Sequence, residues 1–247
     1  MSRIIGVNGK IGSGKDTVGR IIQYLTSEYR DKYSFVEWRD RVENYNSNTY
    51  SPWEIKKFAG KLKTMASLLT GISVEKFEDQ EFKKTYLGEE WGSIRKNPLQ
   101  SIPVFKDVQF NEMMTVREFL QILGTEAMRD NLHENVWVNA LFADYKPVPN
   151  KTINESFKEQ VLTGSSKIHY TDPYWVITDM RFENELESVV LRNGITIRVV
   201  RPGTSVGTHP SETALDDTEF HYEIINDRTM EYLIDKVEEI LMTENLI

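Results

Sequence analysis

The stretch from Ile4 to Leu25 constrains this chain more than any other. Ile4, Ile5 and Val7 form a short apolar run suited to a buried strand, and the run gives way to Gly9, Gly12 and Gly14. Lys15 follows. Then Val18, Ile21, Ile22 and Leu25 recur at i, i+3, i+4 and i+7, the spacing of one apolar helix face. Strand, glycine-rich turn, lysine and helix stand in the order of a phosphate loop, and Gly9-Lys10-Ile11-Gly12-Ser13-Gly14-Lys15 fits the pattern G-x-x-x-x-G-K.

Glycines let such a loop fold tightly, so that its backbone N–H groups converge on phosphate oxygens. The positive end of the helix adds to the attraction. Lys15 is the expected bridge between the β- and γ-phosphates. The bland alternative is a glycine turn that merely starts a helix. The next position usually carries a hydroxyl for Mg²⁺, but here it is Asp16, followed by Thr17. A carboxylate is also a hard-metal ligand, so Asp16 is expected to act on the ion directly or through water. Lys10, inside the loop, either neutralises phosphate or is solvated.

Further along, strand and helix patterns alternate. A strand is expected over 53–59, then a helix with Leu62, Met65, Ala66 and Leu69 on one face and Gly71 as its C-cap. Thr115-Val116-Arg117-Glu118 is a capping box before a helix running to Arg129, with a bend at Gly124. Another helix is expected over 136–145. Strands follow at 174–178, 195–200 and 222–225, with a helix around Leu186–Val190 ended by Gly194 and a closing amphipathic helix over 230–241. Residues 86–114 and 146–173 lack a sustained period; a strand near 104–110 and a hairpin around Gly164 are the most they offer. Alternating strands and helices imply a parallel sheet. The expected organisation is an α/β core of 1–71 and 174–247, an inserted helical lobe of 72–145 and an irregular excursion of 146–173.

Trp175-Val176-Ile177-Thr178-Asp179 is an apolar strand with an acid at its carboxyl end, where open α/β sheets bind ligands. Asp179 is therefore a candidate for Mg²⁺ or its water shell, or a cap for the following helix, whose first turn carries Glu183 and Glu185. Arg181 points toward the same cleft. At 100° per residue, Val116, Phe119, Leu120, Leu123 and Ala127 share one side of their helix, while Gln121, Thr125 and Arg129 cluster on nearly the opposite side. An amide, a hydroxyl and a guanidinium suit a base, a sugar and a phosphate, and equally suit a solvated face. Lys63 reads as a surface lysine or a phosphate contact, and Trp137 as core or as a stacking partner for a base. Arg201 ends the 195–200 strand near the cleft. His209 with Glu212 is too sparse for a metal site.

Composition narrows the possible partners. The chain has 247 residues and a formal net charge of −8. That balance disfavours polymeric nucleic acid and anionic membrane, which both need a positive surface field. There is no cysteine, hence no disulfide or thiolate metal site. No apolar run has membrane-spanning length, and the N-terminus lacks the pattern of a signal peptide. A homodimer is the common default for such a chain.

The segments Gly12-Ser13-Gly14-Lys15-Asp16-Thr17, Phe58-Ala59-Gly60-Lys61-Leu62-Lys63 and Thr115 to Glu126 with Arg129 together resemble the phage-type deoxynucleoside monophosphate kinases. Trp137-Val138, Thr178-Asp179-Met180-Arg181-Phe182, Asn184-Glu185 and His209-Pro210-Ser211-Glu212 extend the resemblance over nearly the whole chain, in order. It implies a P-loop kinase core, with a mostly parallel sheet flanked by helices, plus an inserted helical monophosphate-binding lobe. It also implies Mg²⁺-ATP as donor and a deoxynucleoside monophosphate as acceptor, in the cytoplasm of a host if the chain is phage-encoded. Gly9, Gly12, Ser13, Gly14, Lys15, Asp16, Thr17 and Arg201 are then expected on ATP. Lys63, Gln121, Gly124, Thr125, Arg129, Trp137, Asp179, Arg181 and Glu185 are expected on the acceptor. Asp16, Thr17 and Asp179 are expected near the metal, with Lys15, Arg129, Arg181 and Asp179 closest to the chemistry. The stretch 203–219 has no arginine, unlike the lids of many monophosphate kinases. A dephospho-coenzyme A kinase and a non-catalytic nucleotide switch are the competing readings. The Asn-Lys-x-Asp signature of a GTPase is absent, since Asn150-Lys151 leads into Thr152-Ile153.

Overall fold

A computed structural model describes residues 2–44, 49–91, 93–94, 111–149, 170–204 and 213–247. The chain divides into two compact units, one of Met1–Phe58 with Val138–Ile247 and one of Ala59–Trp137.

The first unit is built on strands β1 (Ile4–Asn8), β2 (Trp53–Lys56), β7 (Tyr174–Ile177), β8 (Ile195–Val200) and β9 (Tyr222–Ile225), arranged β2-β7-β1-β8-β9. Every pairing in this sheet is parallel. Central β1 aligns Ile5 with Val176 on one side and with Ile195 on the other. The period of two along each strand sorts the side chains onto two faces. Ile5, Val7, Val176, Ile195, Ile197 and Val199 pack with α1 (Lys15–Leu25), α2 (Phe35–Asn44) and the closing helix α7 (Met230–Thr243). Ile4, Trp175 and Ile177 face the other way, onto Phe58, Val138, Leu141, Met180 and Val189. Both faces are covered, which is why these strands read as apolar runs rather than as alternations. The α1 residues Val18, Ile21 and Ile22 are all fully buried, as their spacing predicts. Removing that face from water stabilises the fold by about 1.5–3 kcal/mol per large side chain.

Helix α2 has no counterpart among the expected elements, although its signals are local. Ser34 and Glu37 form a capping box: the Ser34 N–H and hydroxyl donate to Glu37 Oε2 at 2.9 and 2.8 Å. Phe35 and Trp38, one turn apart, are buried against Tyr24 of α1. The β2 strand is shorter than the expected 53–59. It ends at Lys56, because Asp179 Oδ1 accepts the Phe58 N–H at 2.7 Å and so starts α3 (Phe58–Thr70).

The second unit holds α3, short 3₁₀ turns, the two-residue strands β3 (Ser93–Ile94) and β4 (Asn111–Glu112), and α4 (Val116–Gln121). Gly71 closes α3 in a left-handed conformation, at φ 72°, and donates to Ser67 O. The Thr115 capping box is complete, with Glu118 N–H on Thr115 Oγ1 and Thr115 N–H on Glu118 Oε2. The expected α-helix to Arg129 does not continue, however. From Ile122 to Asp130 the backbone is a π-helix. Its i→i+5 bonds turn more slowly per residue, so positions read at 100° drift out of place. Ala127, expected on the apolar side, is exposed, while Val116, Phe119 and Leu120 are buried with Ala66 and Phe77.

Helix α5 (Val136–Phe142) begins at the end of the second unit and continues into the first, where β5 (Val148–Pro149) and β6 (Tyr170–Thr171) pair antiparallel and α6 (Glu183–Val190) precedes β8. The compact second unit thus runs from 59 to 137, against the lobe of 72–145 expected from sequence. The expected strand near 104–110, the hairpin turn at Gly164, and His209 and Glu212 lie outside the described residues. Among the described residues, no helix is long and apolar enough to cross a membrane.

Candidate functional site

In the first unit, the carboxyl ends of β1, β2, β7 and β9 each end in or lead into polar residues, among them Asn8, Lys57, Asp179 and Asn226. The turn from Gly9 to Gly14 links β1 to α1, and Ser13 N–H donates to Lys10 O at 3.1 Å to close it. Gly14 sits at φ 99°, which an L side chain rarely adopts, and a Cβ there would lie 2.5 Å from Asn226 Nδ2. Gly9 has a different reason: a Cβ on it would run into Ser13 Oγ and come within 2.7 Å of Val199 O. Asn226, just past β9, donates through Nδ2 to Ser13 O at 2.8 Å and so ties the loop to the last strand. Asn8, at the end of β1, donates to Met180 O at 2.8 Å. Neither asparagine was singled out from sequence; the signal each offered was its position at a strand's carboxyl end.

Lys15 is 8% exposed and donates to Lys10 O at 3.3 Å. Ser13 is buried, and its hydroxyl has no partner among the described residues. A closed loop with a lysine and a buried hydroxyl lacking a hydrogen bond fits an anion with several acceptor oxygens. Lys10 is not simply solvated: it pairs with Asp216. Arg198 holds the Asp216 region, donating to Asp216 O at 3.1 Å and to Thr218 O at 2.8 Å.

Asp16 Oδ1 accepts the Thr178 hydroxyl at 2.9 Å and lies 3.0 Å from Lys57 Nζ. Burial raises the carboxyl's pKa, but Lys57, the Thr178 hydroxyl and Lys15 outweigh it and hold the group below its ordinary value. Thr17 is half-buried. Asp179 is 7% exposed and caps α3 through Phe58 N–H rather than the helix that follows it. The carboxylate of Glu185, itself 3% exposed, accepts Arg181 N–H at 2.8 Å and Phe182 N–H at 3.2 Å. Arg181 is half-buried on the backbone that Glu185 holds, and Arg201 is exposed beyond β8. The hydroxyl of Thr17 and the carboxylates of Asp16 and Asp179 are hard oxygen donors of the type Mg²⁺ takes. Among the described residues, no cluster of three or more acidic or histidine side chains is arranged for a metal.

In the second unit, Gln121, Thr125 and Arg129 are all half-buried. Four residues overshoot an α-turn and fall short of a π-turn, so the three stay near one line while its slant reverses. Trp137 is buried and donates its indole N–H to Gly124 O at 2.8 Å. Gly124 backs onto α3, where an added Cβ would meet Leu62 Cδ2 at 2.9 Å. Lys63 is not a surface lysine: it is 7% exposed, with Nζ 2.5 Å from Glu78 Oε1.

A model of the family described as deoxynucleotide monophosphate kinase matches residues 93–237. The chain belongs to this family. Among similar proteins, the deoxynucleoside-5'-monophosphate kinase of Escherichia phage T5 is 23% identical, the match covering 92% of this chain and 90% of the phage protein. The deoxynucleotide monophosphate kinase of Enterobacteria phage T4 is 26% identical, over 59% of this chain and 61% of its own length. The family match takes in Arg129, Asp179, Arg181 and Glu185 but starts well after the phosphate loop, so it and the loop geometry are independent observations.

Proposed function

We propose that this deoxynucleotide monophosphate kinase transfers the γ-phosphoryl group of Mg²⁺-ATP to a deoxynucleoside 5'-monophosphate, giving ADP and the diphosphate. The observation that carries the reading is the loop between β1 and α1, with Gly14 left-handed, Lys15 folded onto the loop and the Ser13 hydroxyl lacking a partner among the described residues, in a chain of this family.

In phosphoryl transfer the protein mainly positions reactants and stabilises charge. An oxygen of the acceptor's phosphate attacks the γ-phosphorus as the bond to the β-phosphate oxygen breaks, and ADP leaves with those electrons. The attacking oxygen is already anionic near neutral pH, so no strong general base is required. Gly9, Gly12, Ser13 and Gly14 present backbone N–H groups to the donor phosphates, Lys15 neutralises charge on the β- and γ-phosphates, and Arg201 assists the donor. Arg181 and Arg129 stabilise the acceptor phosphate and the charge that spreads during transfer. Gln121, Thr125 and the Gly124–Trp137 pair shape recognition of the acceptor, with Lys63 supporting that unit. Mg²⁺ would supply charge neutralisation on the phosphates; Thr17 and Asp179 would hold it, the Asp16 carboxylate being engaged by Lys57 and Thr178. Glu185 serves Arg181 through the backbone rather than by touching substrate.

The test is to incubate the protein with ATP, Mg²⁺ and each deoxynucleoside monophosphate in turn and follow ADP and the deoxynucleoside diphosphate. The expected result is stoichiometric formation of both with at least one acceptor, and loss of turnover by about two orders of magnitude or more in Lys15→Ala. ATP consumption with no diphosphate product, or transfer to dephospho-coenzyme A alone, would overturn it.

A further inference from the structure

Asp16 is where this loop departs from the usual pattern, since phosphate loops ordinarily place a serine or threonine after the lysine. A carboxylate in the first turn of α1 suits the helix dipole. Beside a polyphosphate it also repels, and Asp16 directly follows Lys15. The structure supplies a counterweight. Lys57 Nζ lies 3.0 Å from Asp16 Oδ1, and Thr178 Oγ1 donates to the same oxygen at 2.9 Å. The arrangement follows from topology. Lys57 leaves the carboxyl end of β2 and Thr178 leaves that of β7; the two strands pair in parallel with Lys56 opposite Ile177, and Thr178 N–H donates to Lys56 O at 3.2 Å. Two strand ends and the first turn of α1 therefore meet on one carboxylate oxygen.

We propose that Lys57 is a charge-balancing and positioning residue of the phosphate loop: paired with Asp16, it cancels the carboxylate's repulsion of bound polyphosphate and fixes the first turn of α1 to the carboxyl ends of β2 and β7. This rests on the loop from Gly9 to Lys15 binding the donor phosphates. Lys57 acts through Asp16, so its loss and the loss of the Asp16 charge compensate one another. A lysine that itself gripped substrate would show no such compensation.

The experiment measures kcat and KM for ATP and for the acceptor in Lys57→Met, Lys57→Gln, Lys57→Arg, Asp16→Asn and the Lys57→Met/Asp16→Asn pair, each checked for folding by thermal melting. Lys57→Met and Lys57→Gln are expected to raise the KM for ATP about tenfold or more, with the acceptor KM changed less than about threefold. Lys57→Arg keeps the charge and stays near the parent. The double variant returns to within about threefold of the parent KM for ATP, because the substituted amide keeps an acceptor for Thr178 without the charge. An unchanged KM in both uncharged single variants, or a double variant as impaired as Lys57→Met, overturns the proposal. Lys57→Gln keeps a donor toward Asp16, so the test survives if Lys57→Met melts early. Lys15→Ala separates the two readings. Normal ATP affinity there defeats the phosphate-loop reading itself, whereas impaired affinity leaves the Lys57 series to judge this inference alone.

Discussion

Glu185 shows how a single buried carboxylate can serve a site from behind. It accepts the backbone N–H groups of Arg181 and Phe182, so it sets where the chain leaves Asp179 and where the Arg181 side chain begins. Leaving those half-buried donors unsatisfied costs at most about 1–3 kcal/mol. We expect Arg181→Ala to lower kcat by orders of magnitude with its melting temperature nearly intact. Both N–H groups bond one oxygen, Oε2, so Glu185→Ala, which removes that acceptor, should lower both kcat and the melting temperature. Steady-state kinetics beside thermal melts check this, and a Glu185→Ala protein with normal kcat would remove the positioning role. The sequence marked Glu185 as a first-turn acid. That its donors would be the two preceding N–H groups depended on the turn after β7.

Among the elements, the π-helix from Ile122 to Asp130 is the departure that matters most. Propensity and period both read as α through this stretch, and the capping box at Thr115 does start an α-helix. What local sequence leaves out is the partner: the Trp137 indole N–H takes Gly124 O, from an element that begins beyond the π-segment. Gly124 also lies close against Leu62 of α3, where a side chain would crowd it. Long-range contacts of this kind override local period. Trp137→Phe keeps most of the buried ring and removes the hydrogen bond. The expected outcome is a loss of about 1–3 kcal/mol and a KM that rises for the acceptor more than for ATP. Equal changes in both constants would separate the π-segment from acceptor recognition.

For the whole molecule, donor binding should appear as stability of the core. A ligand that binds only the folded state at a hundred times its Kd adds about 2.7 kcal/mol, and for a unit of this size that raises the melting temperature by roughly 5–10 °C. A non-hydrolysable ATP analogue with Mg²⁺ should produce such a rise, Lys15→Ala should abolish most of it, and calorimetry reads both. No rise in the parent protein would count against donor binding at the loop. The formal charge of −8 fits an enzyme whose positive groups are few and local: Lys15 is buried in its loop, and Lys10 and Lys57 are each paired with an aspartate.

The sequence by itself determined the α/β class, the order of the core strands along the chain, and the strand–turn–helix of the phosphate loop. Each of these rests on local patterns: apolar runs, a helical period, glycines and a capping box. Helix α2 was equally local, since Ser34, Phe35, Glu37 and Trp38 carry its signals. Tertiary structure alone decided that Asp179 starts α3, that Asp16 meets Lys57 and Thr178, that Lys63 is buried against Glu78, and that the helix after Gln121 widens into π. The physical reason is common to all four. A charge or an N–H group takes the partner that the folded chain brings to it, and that partner lies on an element distant in sequence or beyond a turn whose path local patterns leave open.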